Sequence, residues 1–238
     1  MNILKLNITY SRRILIFIVS LLSGLSIFNL ILCASGRLQM KEMRVPPGQT
    51  VIDDFPNLYI GNIPNLTRKN WQLSLVGASR DTVLDWNAFS QMDTLTVVSD
   101  FHCVTGWSRF DNRWTGVLIR DVINLVQPAD SVKFITFYSA DGYSTFLPIG
   151  ECIGDQDLLA FRWEGKDLNT ETGGPVRVVL PRKYGYKSAK WIIKMVFSSK
   201  HGEGYWESRG YSETADPWRD DRYQSKDNPV KLHQSHGL

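Results

Sequence analysis

Cysteine is the first scarcity. The 238-residue chain holds only Cys33, Cys103 and Cys152, an odd and scattered set that describes no disulfide framework. Cys33 sits in an apolar segment of its own, so within the folded part a single bridge, Cys103–Cys152, is all that is conceivable. No CxxC or HExxH spacing occurs, which removes the usual zinc sites. Charge of one sign is lacking too: the formal net charge is +3, without a long basic run. Nucleic acid is therefore not an expected partner, because binding its backbone needs clustered lysine and arginine. No internal repeat is present either, so repeat architectures are excluded.

Apolar residues are plentiful. Hydrophobic residues make up 43% of the chain and aromatic residues 12%, enough to fill the core of one substantial domain or at most two small ones. Residues 14–33, "ILIFIVSLLSGLSIFNLILC", carry no charge over a length that crosses a bilayer as a helix. Lys5, Arg12 and Arg13 precede this run; Arg37, Lys41 and Arg44 follow it with Glu42. The bias slightly favours a cytoplasmic N-terminus. Ser11-Arg12-Arg13 ahead of the run also resembles a twin-arginine export signal, although two arginines equally flank any signal or anchor. "LILC" is a poor lipoprotein box because Leu32 is bulky. Residues 1–35 are thus expected to be a signal peptide or membrane anchor that places the domain outside the cytoplasmic membrane. Residues 36–54, with Pro46, Pro47 and Gly48, read as a linker. Residues 55–225 read as the domain and residues 226–238 as a flexible tail.

Within the domain, residues 71–77 and 93–103 read as strands from their alternation and β-branching. Residues 115–128 place Val117, Ile119, Val122, Ile123 and Val126 on a helical stripe that ends at Pro128. "SVKFITFYSADGYSTFLP" is a hairpin around Asp141-Gly142. "DLLAFRWEGKDL" turns at Glu164-Gly165-Lys166, and "GPVRVVLP" and "AKWIIKMVF" add two apolar strands. The result is a β-rich α+β domain whose polar motifs lie in the connections.

Three connections carry chemistry. "FHCVTGWSRFDNRWTG", residues 101–116, sets Cys103 in a turn-rich stretch beside Trp107 and Trp114. A buried structural thiol, a nucleophile and a ligand to a soft metal all suit a lone cysteine. His102 points to the opposite strand face, so a histidine base would have to be His201 or one from the tail. "TGGPVRVVLPRKYGYKSAKW", residues 172–191, offers Arg177, Lys187, Ser188 and Lys190 beside glycine turns, which suits a phosphate. A solvated hairpin with ordinary lysines would read similarly. "GEGYWESRGYSETADPW", residues 202–218, is too aromatic for a solvent loop; Tyr205 and Tyr211 could bring hydroxyls to a site.

In the order "FHCVTGWSRFDNRWTG", "DGYSTFLP", "GGPVRVVLPRKYGYKSAKW" and "YWESRGYSETADPW", these motifs resemble the sulfite oxidase family of molybdopterin-dependent oxidoreductases. The likeness spans roughly residues 55–220 and is nearest to small bacterial members and periplasmic methionine-sulfoxide reductase catalytic subunits. It implies a mixed-sheet, barrel-like molybdopterin-binding fold in a single domain. It also implies an enzyme with molybdenum and molybdopterin as cofactors. Cys103 matches the thiolate ligand of molybdenum, and Ser139 matches a pterin contact. Arg177, Ser188, Ala189 and Lys190 match the groups that hold the cofactor and its phosphate. Thr172 stands where relatives carry His or Asn, also a cofactor contact. Tyr211 matches the active-site tyrosine, with Trp107 and Trp114 walling the site.

Departures point to the substrate. Sulfite oxidases carry an arginine soon after the metal-binding cysteine, where this chain has "VTGWS", and "NLYIGNIP" adds none. The expected substrate is therefore a small or protein-borne S- or N-oxide rather than sulfite, acted on by two-electron oxygen-atom transfer, with the direction of reaction left open. From its length, a protein without the haem and immunoglobulin-like domains of animal sulfite oxidases is expected. A monomer exchanging electrons with a separate membrane haem protein or cytochrome is expected. The alternatives are a non-catalytic, membrane-anchored binding module that retains the fold, and a metal-free thiol enzyme.

Overall fold

The computed structural model describes residues 44–224. The apolar run of residues 14–33 and the tail of residues 226–238 lie outside the described residues. Among the described residues no helix is long and apolar enough to cross a membrane. The part starting at Pro46 forms one compact unit.

Two sheets carry it. The first contains β1 (Thr50–Val51), β4 (Leu95–Cys103), β5 (Trp107–Leu118), β8 (Leu158–Trp163), β9 (Lys166–Asp167) and β10 (Arg177–Val179). β5 is its spine. It pairs antiparallel with β4 along most of its length, in parallel with β1 at its start, and antiparallel with β8 at its end. The second sheet runs β3 (Thr82–Asp85), β2 (Gln72–Val76), β11 (Ile192–Ser198), β6 (Phe134–Ser139), β7 (Ser144–Pro148), with only β2–β11 parallel. The two sheets do not close into a barrel, so the architecture is mixed-sheet without the barrel-like closure expected.

The helical stripe starts later than its sequence suggests. Residues 115–118 belong to β5, where Gly116, Val117 and Leu118 face Ala160, Leu159 and Leu158 on β8. The short helix α1 (Trp86–Ser90) precedes β4, and α2 (Ile119–Val126) takes up the stripe after β5. Cross-strand pairing with the apolar residues of β8 outweighs the local period there. α2 buries Ile119, Val122, Ile123 and Val126 and ends at Gln127 in a left-handed conformation before Pro128. Its stripe joins Leu73, Leu75, Phe89, Ile135, Phe137, Ile192 and Met195 in the main core. Each such side chain contributes about 1.5–3 kcal/mol by leaving water, which fixes the strand ends that carry the polar residues.

Candidate cofactor cavity

The opening turn-rich stretch is a hairpin. Cys103 ends β4, Trp107 begins β5, and Gly106, at φ 103°, turns the chain so that its amide donates to the Cys103 carbonyl at 3.1 Å. Cys103 and Cys152 are both free thiols, so the conceivable bridge is not formed. Cys152 is fully buried and leans on the Ile149 carbonyl, a structural position. The His102 ring turns away from the Cys103 side: its Nδ1 lies 2.8 Å from the Ser108 hydroxyl, and the ring packs edge-on to Trp218.

Cys103, Ser139, Arg177, Ser188, Ala189, Lys190 and Tyr211 all line one cavity of about 400 Å³, the size of a small-molecule or cofactor site. Strand ends from both sheets bring them together. β4 delivers Cys103, β6 delivers Ser139 and β10 begins with Arg177. The chain between β10 and β11 supplies Ser188, Ala189 and Lys190. A single-turn helix there, Gly185–Lys187, presses against β4 so closely that a Cβ on Gly185 would lie 2.3 Å from the Phe101 ring. Gly173, at φ 102°, has the same constraint, since a Cβ there would meet Lys190 and Arg177.

The cavity's electrostatics are unusual. Arg177 is 2% exposed, and its guanidinium donates to the Thr172 carbonyl at 2.8 Å and the Ser188 carbonyl at 3.3 Å. Trp114, Phe55 and Phe101 surround it with ring faces. Burial lowers its pKa to about 10, so it stays a cation at neutral pH. The Lys190 ammonium is buried without a hydrogen-bond partner, between the rings of Tyr59 and Trp191. Burial, assisted by the Arg177 charge, pulls its pKa down to about 7. The Ser139 hydroxyl and the Asn57 side-chain amide oxygen are likewise buried and unpartnered, and both residues line the cavity. Buried polar atoms are rarely left unpaired. Two cations and two orphaned oxygens around one cavity therefore fit a large ligand that carries an anionic group and several hydrogen-bonding edges.

At the Cys103 turn, the lining is neutral. Val104, Thr105 and Trp107 follow the cysteine, and Tyr186, Trp206 and Tyr211 also contribute. The sulfur of Cys103 lies 3.0 Å from the Thr105 hydroxyl. Burial pushes its thiol pKa up, while the Thr105 bonds and the Arg222 charge pull it back down. Tyr211, packed among Tyr186, Trp206 and Tyr223, has its hydroxyl pKa raised to about 12, first by burial and then by Tyr223 and Cys103.

Other expected site residues are placed differently. Thr172 is not in the cavity wall: its hydroxyl donates to Asn169, and its carbonyl holds Arg177 from behind. Trp114 is fully buried behind Arg177 and stacks on Trp163, so Trp107 alone of the pair lines the cavity. Lys187 faces away into a buried ion pair with Glu207 at 2.5 Å. Tyr205 packs under Arg209, and its neighbour Trp206 lines the cavity instead. Asn57, Tyr59, Tyr143 and Tyr186 also line it, unforeseen from sequence. The only signal for Asn57 was a polar side chain between apolar neighbours in residues 55–60.

A two-sheet fold with a cation-bearing cavity at its strand ends defines a cofactor-binding enzyme scaffold, and comparison identifies which. Residues 60–206 match the family model described as oxidoreductase molybdopterin binding domain. The Bacillus subtilis (strain 168) protein named uncharacterized oxidoreductase YuiH is 35% identical over 187 residues, covering 76% of this chain and 92% of that one. A putative protein-methionine-sulfoxide reductase subunit, YedZ1 of Azospira oryzae, is 29% identical, covering 81% of this chain and 75% of that one. The catalytic subunit MsrP of Campylobacter jejuni is 28% identical, with 63% of this chain matching 56% of that protein. Among solved structures, the sulfane dehydrogenase SoxCD of Paracoccus pantotrophus superposes with a TM-score of 0.58 at 17% identity, covering 62% of this chain and 43% of that one. That likeness supports the fold alone. The chain belongs to the oxidoreductase molybdopterin-binding domain family. It is an enzyme, a molybdopterin-dependent oxidoreductase with molybdenum and molybdopterin as its cofactor.

Proposed function

We propose that this oxidoreductase reduces the S-oxide of a neutral thioether, with methionine sulfoxide, free or within a polypeptide, as the substrate class. In this reading Cys103 is the protein ligand of molybdenum. The observation that carries it is the uneven charge of the cavity. Both lining cations, Arg177 and Lys190, come from residues 172–191, whereas Val104, Thr105, Trp107, Trp206 and Tyr211 are neutral. An oxyanion would meet no cationic lining residue beside the cysteine, while a neutral sulfoxide with an apolar tail suits aromatic walls. The names carried by YedZ1 and MsrP point the same way.

The net reaction converts a sulfoxide, two electrons and two protons into a thioether and water. When bound, the molybdenum–pterin group supplies the two-electron couple. The chain's residues do the rest. Arg177 and Lys190 hold the cofactor's phosphate through charge-assisted bonds, with Ser188 and Ala189 along the same wall. Ser139 and Asn57 meet the edges of the pterin. Thr172 keeps the Arg177 guanidinium aimed. Trp107 and Trp206 exclude water, and Tyr211, a neutral phenol whose pKa burial raises further to about 12, donates a hydrogen bond to the sulfoxide oxygen.

Electrons come from a separate membrane haem protein or cytochrome, and residues 14–33 anchor or export the domain to the extracytoplasmic side. The experiment is metal and pterin analysis of protein made in a cofactor-competent host. Turnover of methionine sulfoxide with a reduced viologen and oxidation of sulfite with ferricyanide are then assayed. Molybdenum bound with sulfoxide reduction supports the reading; sulfite oxidation without sulfoxide reduction sinks it. Cys103→Ser is expected to abolish turnover and leave a folded domain.

A further inference from the structure

Arg222 lies beyond the residues that match the family model, yet its guanidinium reaches the Cys103 turn. Nη1 donates to the Val104 carbonyl, and Nη2 donates to the Gly48 carbonyl at 3.1 Å and the Pro47 carbonyl at 3.4 Å. Its Nε is held by Asp220 at 2.6 Å, and the group lies 5.4 Å from the Tyr184 ring. The backbone is shaped around it. Gly48 has φ 66°, and a Cβ there would stand 2.8 Å from Nη2. The two segments that Arg222 bridges are also joined directly, because the Thr50 amide donates to the Gly106 carbonyl at 2.8 Å and the Gln49 side-chain amide donates to the Cys103 carbonyl at 3.1 Å.

We propose that Arg222 is the positioning residue for the Cys103 turn, clamping the N-terminal arm, the turn and the C-terminal segment on one planar cation so that the sulfur is held in place for the metal. The inference rests on the reading of Cys103 as the metal's ligand. It explains how a turn whose own residues, Val104 to Trp107, carry no charge keeps a cation close to the cysteine. A lysine cannot reproduce the clamp, because its single ammonium lacks the forked donors that reach three carbonyls from one plane.

The test uses the full chain as Arg222→Met and Arg222→Lys, each produced with and without molybdenum. Hydrogen exchange in the metal-free proteins is followed at residues 46–52 and 101–108, with β6 as internal reference. Arg222→Met is expected to exchange about tenfold faster in both segments, the loss of a charged hydrogen bond, with β6 unchanged. Arg222→Lys is expected to fall between. In protein made with molybdenum, metal content per chain is expected to fall in the same order. Should Arg222→Met not fold, Arg222→Lys, which keeps charge and bulk, carries both measurements. Unchanged exchange in the two segments, an equal rise across β6, or faster exchange with full metal content each overturns the proposal. If the wild-type chain itself binds no molybdenum, the reading of Cys103 fails, whereas the exchange result still decides whether Arg222 holds the turn.

Discussion

Residues 172–191 and the Cys103 turn meet at the same cavity but are built on opposite principles. The first brings two cations into a mostly apolar interior, with Asp141 in the same lining but no ion pair to either of them among the described residues. Arg177 is satisfied only by carbonyls and ring faces, and the Lys190 ammonium by nothing but rings. The second brings a sulfur, aromatic rings and a hydroxyl, all neutral. Cationic side chains on one wall, and none in the lining beside Cys103, suit the proposed division of the cavity into a part that grips the cofactor and a part that sorts substrates. Each difference can be broken separately.

The largest effect is expected on the gripping side. Arg177→Met keeps the stem's bulk and removes the guanidinium. A hydrogen bond to a charged group contributes about 1.5–3 kcal/mol, and each ~1.4 kcal/mol is a factor of ten. Molybdenum and pterin per chain should therefore fall by at least about tenfold, measured by metal analysis after gel filtration. Wild-type content would show that the anion is held elsewhere.

The tie between the regions comes next. Lys187 follows Tyr186 and precedes Ser188; Glu207 follows Trp206. Their fully buried ion pair, braced by the Phe146 carbonyl and the Thr145 hydroxyl, staples one cavity wall to the other. Glu207→Gln leaves a buried ammonium unpaired, which costs roughly 3–5 kcal/mol and should appear as a lowered denaturation midpoint. The double variant Lys187→Met/Glu207→Leu, which buries no charge, should recover most of that loss. Equal midpoints for wild type and Glu207→Gln would show that the pair does not secure the walls.

Legibility followed how local each signal was. β4, the hairpin of β6 and β7, and the glycine-flanked run holding Arg177, Ser188 and Lys190 could be read because strand alternation and turn chemistry lie within a few residues. β5 was hidden because Arg109, Asp111, Asn112 and Arg113 interrupt its apolar pattern, and it is held as a strand by β4 and β8. Which way a side chain faces was hardest in irregular chain. Thr172 and Lys187 turn from the cavity, and Trp206 rather than Tyr205 enters it, because partners far along the chain decide those directions. Asn57 had no motif, and only its orphaned oxygen marks it.

The smallest effect expected is on pH dependence, and it tests the gripping side from within. Lys190 in the cofactor-free protein has a pKa near 7 against an ordinary 10.5. Below about pH 7 both folded and unfolded chains carry the proton, and the cost of burying the charge is fully present. Between about pH 7 and 10.5 the unfolded chain binds a proton that the folded one does not, so stability rises with pH as that cost is relieved. The denaturation midpoint of the cofactor-free wild type, relative to Lys190→Met, should therefore climb across this window and level off above it. With the cofactor bound, its phosphate favours the ammonium, lifts the pKa toward the ordinary value and removes the slope. A difference between the two proteins that is flat in the absence of cofactor would mean that Lys190 is not the strained cation of this cavity. A slope that survives loading would mean that the phosphate is not its partner.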